Sequence, residues 1–240
     1  MTDLQFKIKR IFAKHDVFLN DTQCEQFEKY IDLILSENAK YNLTSITDID
    51  EIIIKHMIDS VLPYKYFKAN ASVVDIGAGA GFPSIPLMIV RNDLKFLIID
   101  SVNKKVEFIK MVARELNLNS CEIIHTRCED VAQKIEYREK FEYCVARGVA
   151  NLSSLLEYCV AFVKINGEIL AYKGKRYKAE LEESKNTLNI LHLKLKENLS
   201  FTLKNDDENI ERNIMVFSKT EATPKKYPRL QNKVRLRPLG

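Results

Sequence analysis

The stretch Val73-Val74-Asp75-Ile76-Gly77-Ala78-Gly79-Ala80-Gly81-Phe82-Pro83 decides how this chain folds. Its β-branched apolar start predicts a strand covered on both faces. Three alternate glycines follow, and glycine permits a positive φ and lets a ligand lie against backbone amides. Pro83 and Pro86 suit a first helical turn, whose N–H groups lack partners. The stretch therefore predicts a strand, a glycine turn and a helix N-terminus rich in hydrogen-bond donors.

The spacing of the glycines indicates the kind of cofactor. It is G-x-G-x-G, and the sixth position of the dinucleotide fingerprint G-x-G-x-x-G is Phe82, too bulky for close helix–strand contact. Asp75 and Asp100, the latter at the end of the next strand, instead fit a nucleoside cofactor, because Asp100 can accept both ribose hydroxyls. The alternative is that Asp100 caps the following helix. The arrangement resembles the S-adenosylmethionine site of Rossmann-like methyltransferases.

Composition and cysteine usage set broad limits. The chain has 240 residues, of which 46% are hydrophobic and 29% charged, as is ordinary for a soluble globular protein. No apolar run approaches a membrane span, and the first residues lack the form of a signal peptide, so a cytoplasmic protein is expected. The cysteines and histidines form no C-x-x-C or H-x-x-x-H pair. Neither a metal site nor a disulfide framework is expected.

Strand and helix patterns alternate from residue 72 onward. The predicted parallel strands are Ser72–Asp75, Lys95–Asp100, Glu122–His125, Glu142–Ala146 and Glu168–Tyr172. Helices are predicted from Ser84, Asn103 and Leu152, and near Ala179–Thr187. Two further strands, His192–Leu199 and Asn213–Lys219, joined through Asn205–Asn209, suit an antiparallel hairpin at the edge. The chain is therefore predicted to be α/β, with a mostly parallel seven-stranded sheet.

Helical patterns precede this sheet. Two amphipathic helices are predicted first, and a third from about Ile49 to Pro63. On the third helix His56 and Asp59 share a polar face. Either a Lys55–Asp59 ion pair lies on a solvated face, or His56 and Asp59 face the glycine turn. The predicted domains are a helical extension packed on the core (1–70), the Rossmann-like domain (71–220) and a tail (221–240).

The tail from Pro224 onward contains basic residues and no acid. Its basic residues are Lys225, Lys226, Arg229, Lys233, Arg235 and Arg237. Pro228 and Pro238 lie among them, so no helix is expected. Two interpretations remain open: a solvated disordered terminus, or an arm that contacts RNA.

Motifs along most of the chain resemble one family. They are Tyr41-Asn42-Leu43-Thr44, His56-Met57-Ile58-Asp59-Ser60, the run from Asp75 to Leu87, Asp100-Ser101-Val102-Asn103-Lys104-Lys105, Arg147 and Tyr172-Lys173-Gly174. In this order they resemble the bacterial 16S ribosomal RNA guanine-N7 methyltransferases, also called glucose-inhibited division protein B. The tail looks like the extension of longer members. Ser84 replaces the family's usual glycine and Gly148 its usual alanine, and neither change removes a group that the chemistry needs.

The resemblance implies a class I methyltransferase fold, S-adenosylmethionine as cofactor, and 16S ribosomal RNA or the small ribosomal subunit as partner. The target implied is N7 of guanine 527 in the decoding-region loop. The cofactor-binding candidates are Gly77, Gly79, Phe82, Asp100, Cys128, Glu129 and Arg147. The RNA-binding candidates are Asn42, His56, Lys173, Lys175 and Arg176, the last three following the fifth strand where ligands of parallel sheets bind. A monomer is expected, with no metal and no membrane contact.

The residue types favour guanine N7 as the methyl acceptor. Amino-group methyltransferases that act on bases resemble one another in an N-P-P-Y corner after the fourth strand, whereas this chain has Val145-Ala146-Arg147-Gly148. Methylation of a pyrimidine carbon calls for a cysteine after a proline, which the chain lacks. Guanine N7 needs no general base because its lone pair is free, so catalysis is mostly placement. Arg147 is the candidate orienting residue, through the cofactor carboxylate, a phosphate or the O6 edge of the base.

Two rival functions remain open. One is a methyltransferase of the same fold that acts on a small molecule or a protein, against which the basic run and tail argue. The other is a non-catalytic RNA-binding or assembly protein, against which the intact set of glycines and acids argues.

Overall fold

The computed structural model describes residues 1–204, 209–230 and 232–239. Its centre is a seven-stranded sheet in the order β3-β2-β1-β4-β5-β7-β6. The strands are β1 Ser72–Ile76, β2 Lys95–Asp100, β3 Cys121–His125, β4 Phe141–Arg147, β5 Val163–Lys173, β6 Leu193–Lys204 and β7 Asn209–Lys219. β1 to β5 pair in parallel, and β7 pairs antiparallel with both β5 and β6. The predicted fold class is confirmed.

Helices cover both faces of the sheet. They are α1 Asp3–Ala13, α2 Asp21–Tyr41, α3 Ile49–Ile52, α4 Asp59–Val61, α5 Ser84–Val90, α6 Asn103–Glu115, α7 Cys128–Val131, α8 Leu152–Val160, α9 Tyr177–Glu183, α10 Lys185–Ile190 and α11 Lys233–Leu236. The starts predicted for α5, α6 and α8 are confirmed. The predicted third helix ends at Val61 instead of Pro63, and its middle, Ile53–Ile58, is π-helical. Such wider turns are frequent at functional sites.

Two strands, β5 and β6, are longer than predicted. β5 begins at Val163, before the predicted Glu168, and β6 extends to Lys204 beyond the predicted Leu199. These extra residues are mostly exposed, so they lack the apolar pattern from which a strand is predicted. The predicted connector Asn205–Asn209 lies, except for its last residue, outside the described residues.

The N-terminal helices and the sheet share one core. Ile8, Phe27 and Ile53 belong to the same buried cluster as Val73 and Ile98. A second buried cluster fills the other face of the sheet, where α8 packs. Shared burial of this kind stabilises the extension and the sheet together. The domain boundaries at residues 70 and 220 remain a prediction.

The tail is packed against the α/β domain. Tyr227 and Val234 are buried, and Val234 lies in α11. The expectation that the tail forms no helix was therefore wrong, because burial of Val234 outweighs the weak local helix preference. In the described part of the chain, no helix is long and apolar enough to cross a membrane. No group of three or more metal-ligating side chains occurs in those residues either.

Candidate active site

The glycine turn follows β1 directly. Gly77, Gly79 and Gly81 all have positive φ, at +71°, +62° and +98°. A Cβ at Gly77 would lie 2.9 Å from Val149 Cγ2, and one at Gly81 would lie 2.6 Å from Ile85 Cγ1. A Cβ at Gly79 would meet no heavy atom of the described residues within 4 Å. The turn is therefore tightly packed on its protein side and open at Gly79, as a ligand cradle requires.

Asp100 ties the second strand to this turn. Its Oδ2 accepts a hydrogen bond from the Gly79 N–H at 2.9 Å, and its Oδ1 accepts one from the Val102 N–H at 2.8 Å. The carboxylate thus supports both the turn and the entry to α6. Each of its oxygens keeps a further lone pair, so ribose hydroxyls can still bind it.

Asp75 is fully buried beneath the turn. Its Oδ2 accepts a hydrogen bond from the Ser84 N–H at 3.2 Å, while Oδ1 has no partner among the described residues. Burial raises the pKa of Asp75 to about 7, against the lowering effects of Ser84 and the charge of Arg147. An unpartnered buried carboxylate oxygen is costly. It fits a cationic donor such as the ammonium group of S-adenosylmethionine.

A cleft of about 480 Å³ extends from the turn toward the ends of β2, β3 and β4. Gly77, Cys128 and Glu129 line it, together with Ser101 and Tyr158. Its volume falls within the range of about 300–1,000 Å³ usual for small-molecule sites. Burial raises the pKa of the Cys128 thiol, so that group is a neutral wall of the cleft. The residues present thus fit a nucleoside cofactor.

Arg147, at the end of β4, is held from several sides. Its Nη1 donates to Asp59 Oδ2 at 2.8 Å, and the Asp59 Oδ1 accepts from Arg212 Nε at 2.9 Å. The same Nη1 lies 3.3 and 3.4 Å from the carbonyl oxygens of Lys55 and His56 in the π-helical segment. Only 15% of the Arg147 side chain is exposed. The guanidinium is therefore oriented before any substrate arrives.

His56 and Phe82 lie against the same guanidinium. The His56 ring stacks on the Phe82 ring with centroids 4.7 Å apart, and Arg147 Cζ lies 4.9 Å from the Phe82 centroid. Burial, and then the charge of Arg147, lower the pKa of His56 to about 4, so its ring is neutral at pH 7. His56 thus meets Phe82 at the end of the glycine turn, as one of the two predicted alternatives has it, whereas Asp59 pairs with Arg147 and Arg212. Lys55 instead pairs with Glu51 at 2.6 Å.

A second cavity, of about 280 Å³, opens beside Arg147. Arg147, Arg212, Asp59 and Tyr172 line it, along with the Lys173 side chain. One carboxylate therefore faces two guanidinium groups, which leaves the cavity with excess positive charge. Sequence reasoning missed Arg212, since it lies on an antiparallel strand 65 positions after Arg147 and outside every motif. An arginine just before the buried run of β7 was its only signal.

The five RNA-binding candidates lie in different environments. Asn42, Lys175 and Arg176 are exposed, and Asn42 ends α2 with a φ of +50°. Lys173 is turned inward: its side chain is 7% exposed, and its Nζ donates to Glu180 Oε2 at 2.7 Å. His56, as described above, also faces the protein interior. Three of the five are thus exposed at the surface, and their role in RNA binding stays a prediction.

The sheet order and the glycine turn at the carboxyl end of β1 define the class I methyltransferase fold. Two solved structures share it. TYW2 from M. jannaschii in complex with AdoMet is 17% identical, with a TM-score of 0.51 over 67% of this chain and 76% of that chain. TYW2 from P. horikoshii in complex with MeSAdo is 12% identical, with a TM-score of 0.53 over 69% and 63%.

Sequence comparison is more specific. The family model described as rRNA small subunit methyltransferase G matches residues 23–215. The ribosomal RNA small subunit methyltransferase G of Brevibacillus brevis is 45% identical over 231 residues, 95% of each chain. That of Streptococcus pneumoniae serotype 19F is 41% identical over 232 residues, 95% of this chain and 97% of the relative. The chain belongs to the rRNA small subunit methyltransferase G family.

Proposed function

We propose that this chain transfers a methyl group from S-adenosylmethionine to N7 of a guanine in 16S ribosomal RNA. The observation that carries the proposal is the pair of cavities on either side of the end of β4. Val149 lines the cofactor cleft, and Arg147, two residues earlier, lines the smaller positive cavity. The sites proposed for the methyl donor and the methyl acceptor thus adjoin at the carboxyl ends of the parallel strands, where ligands of α/β proteins bind.

S-adenosylmethionine is the cofactor of this family and fold, and it supplies an activated methyl group on a sulfonium. We place its nucleoside in the 480 Å³ cleft, with Asp100 on the ribose hydroxyls and Cys128 and Glu129 beside the adenine. The unpartnered Oδ1 of Asp75 suits its ammonium group. Gly79 leaves the room that the methionine part needs.

The smaller cavity is proposed to hold the guanine. Arginine donates well to the O6 of guanine, and a contact with O6 alone leaves N7 free to attack. Arg147 is preset for this role by Asp59 and the π-helical carbonyls, and Arg212 provides a second donor from β7. Bound S-adenosylmethionine would supply a methyl group whose transfer leaves the electron pair of the carbon–sulfur bond on sulfur and places the positive charge on the base. Because N7 presents a free lone pair, Arg147 and Arg212 would need only to orient the base, and no residue would have to accept a proton.

Placement is then the main contribution of the protein. Well-oriented reactants can gain roughly 7–11 kcal/mol over reaction in free solution. The fixed side chains around Arg147 serve this end, because none of them must reorganise during the reaction. Neutral His56 stacked on Phe82 adds no further positive charge to those of Arg147 and Arg212.

RNA contacts are proposed for the exposed candidates Asn42, Lys175 and Arg176. The Arg176 side chain is 78% exposed, with its nearest carboxylate, Glu183, at 3.7 Å and itself 63% exposed. Such a loose surface pair is easily exchanged for a phosphate. Lys173 is better explained as a support for the loop after β4, since its Nζ also donates to the Ala150 carbonyl at 2.9 Å. A ribosomal RNA substrate implies action in the cytoplasm.

The deciding experiment incubates the purified chain with radiolabelled S-adenosylmethionine and small ribosomal subunits that lack base methylation. Cleavage chemistry specific for 7-methylguanine then locates the product. A single cleavage in 16S ribosomal RNA is expected. Labelled RNA without that cleavage would refute N7 as the target. Cofactor binding without RNA labelling would favour a small-molecule or protein substrate, and no cofactor binding would favour a non-catalytic role.

A further inference from the structure

The C-terminal segment, of which the structure describes residues 229–230 and 232–239, is anchored to a buried carboxylate. Arg229 Nε donates to Glu157 Oε1 at 2.8 Å and Arg229 Nη2 to Oε2 at 2.7 Å, and the Arg229 backbone N–H donates to Oε1 at 2.9 Å. The Glu157 side chain is 0% exposed and belongs to α8. Three charge-assisted bonds to a desolvated carboxylate fix the start of the segment in place.

Further contacts hold the C-terminal segment against α8 and against the loop before α7. The Ser154 Oγ donates to the Val234 carbonyl at 3.0 Å, and the Val234 side chain is fully buried. Arg127 Nη1 donates to the Asn232 Oδ1. Arg127 directly precedes α7, which begins with Cys128 and Glu129. The segment therefore reaches the part of the domain proposed to receive the adenine.

Two side chains of this segment line the cofactor cleft itself. Asn232 and Arg235 border the same 480 Å³ space as Gly77, Cys128 and Glu129. Arg237, two positions further on, is exposed, and it contributes its backbone carbonyl to Arg229 at 2.8 Å. The segment thus divides into residues that meet the cleft and residues that do not.

We propose that Asn232 and Arg235 are cofactor-binding residues, and that the C-terminal segment forms the outer wall at the nucleoside end of the cleft. A guanidinium can lie on the aromatic face of adenine or donate to its ring nitrogens, and an asparagine amide can pair with its polar edge. Glu129, which is 4% exposed, lies 3.8 Å from Arg127 Nη1 and contributes a negative charge to the same cleft. This inference rests on the proposed placement of S-adenosylmethionine in the cleft.

The test compares Arg235→Ala with Arg237→Ala by isothermal titration calorimetry. The ligands are S-adenosylhomocysteine and 5′-methylthioadenosine, which lacks the amino-acid part. Arg235→Ala is expected to raise the Kd for both ligands about tenfold, by the same factor because the lost contact is to the nucleoside. Arg237→Ala should leave both values within twofold of wild type. Equal Kd values for the two variants would overturn the proposal.

A second readout needs no substitution. Hydrogen exchange of the amides in residues 232–236 should slow at least fivefold when S-adenosylhomocysteine is added to the wild-type chain. Unchanged exchange there, with protection at the glycine turn, would also overturn the proposal. So would an Arg235→Ala variant that loses affinity for 16S RNA and keeps its affinity for the cofactor, because the segment would then be an RNA arm.

Asp100→Asn separates failure of this inference from failure of the proposed function. If Asp100→Asn weakens S-adenosylhomocysteine binding and Arg235→Ala does not, the placement of the cofactor in the cleft is supported and the role of the C-terminal segment is refuted. If Asp100→Asn also leaves binding unchanged, the placement of the cofactor is itself refuted.

Discussion

At the scale of single residues, the environment of Arg147 narrows its role. Its guanidinium is engaged by Asp59 and by two carbonyl oxygens, and it lines the cavity beside Arg212. This favours a contact with the base or its phosphate over a contact with the cofactor carboxylate. An engaged, planar guanidinium is also not replaceable by a flexible ammonium.

Arg147→Lys is therefore expected to lower kcat for RNA methylation about 100-fold, the scale of a 1 Å misplacement. The Kd for S-adenosylhomocysteine should stay within about threefold of wild type. Arg114→Lys, on an exposed arginine of α6, is the matched control for kcat. A large rise in the Kd for the cofactor with kcat preserved would show that Arg147 contacts the cofactor carboxylate and not the base.

His56 provides a pH test of the same cluster. Its pKa is lowered to about 4 in the folded chain, from 6.5 when unperturbed, so the unfolded chain binds the proton first as pH falls. The stability that is fully present above pH 6.5 is therefore lost between pH 6.5 and about 4. The wild-type free energy of unfolding should therefore drop by about 3 kcal/mol more than that of His56→Gln between pH 7.5 and 4. Urea unfolding at both pH values measures this. His125→Gln, on an exposed histidine, should behave as wild type, and a parallel drop in both variants would contradict the burial of His56.

The sequence predicts that some residues of this candidate site lie together, and it does not predict others. Gly79 and Asp100 are recognisable because a turn and the strand beside it are adjacent in any parallel sheet. The inward turn of Lys173 and the presence of Arg212 depend on partners, Glu180 and Asp59, that no local pattern connects to them. Ion pairs between distant segments are set by packing, which residue spacing does not encode.

At the scale of elements, α2 supports the glycine turn from behind. The buried Tyr30 hydroxyl donates to the Ala80 carbonyl at 2.6 Å, and its ring lies 5.6 Å from that of Phe82. An N-terminal helix thus supports the turn that is proposed to hold the cofactor. Sequence patterns predict where such helices begin, as at Ser84 and Asn103, because caps and apolar spacing are local. They do not predict which distant loop a helix supports.

Tyr30→Phe should lower the free energy of unfolding by about 1–2 kcal/mol, because a buried carbonyl loses its partner. It should also raise the Kd for S-adenosylhomocysteine about threefold as the turn loosens. Urea unfolding and calorimetry measure the two effects. Tyr64→Phe is the control, since its hydroxyl makes a longer bond, 3.3 Å, to the carbonyl of Asp16 away from the turn. An unchanged Kd with lowered stability would mean that α2 supports the fold and not the site.

At the scale of the whole molecule, the tail is part of the folded body. The pairing of Arg229 with the fully buried Glu157 joins residues 72 positions apart, which explains why composition alone left only a disordered terminus or an RNA-contacting arm as interpretations. A basic residue in such a segment has no visible partner until the fold brings a carboxylate to it.

Arg229→Ala should therefore lower the free energy of unfolding by about 3 kcal/mol, because it leaves a buried carboxylate without its counter-charge. Lys226→Ala, on an exposed lysine of the same tail, should change stability by less than about 0.5 kcal/mol. Thermal and urea unfolding test both. Equally small changes in the free energy of unfolding of both variants would indicate that the tail is a solvated terminus.

The RNA surface is tested by the salt dependence of binding. The double variant Lys175→Ala/Arg176→Ala should reduce the slope of log K against log salt by about 1.4, or 0.7 for each lost phosphate contact to a single strand. Lys65→Ala/Lys68→Ala is the control, because both lysines are exposed and precede the amino end of β1, whereas Lys175 and Arg176 follow the carboxyl end of β5. If both double variants change the slope equally, binding is spread over the whole surface.

The glycine turn has a consequence for genetics. Missense alleles at Gly77 and Gly81 place a side chain against Val149 or Ile85, so their products should be scarce in the cell. An allele at Gly79 meets no such neighbour and costs only the backbone strain of a left-handed residue, about 1–2 kcal/mol. Its product should fold, accumulate and still bind the substrate. It should not methylate the substrate, because the new side chain fills the space proposed for the methionine part of the cofactor. Alleles at Gly79 are thus the ones expected to act dominantly over a wild-type copy.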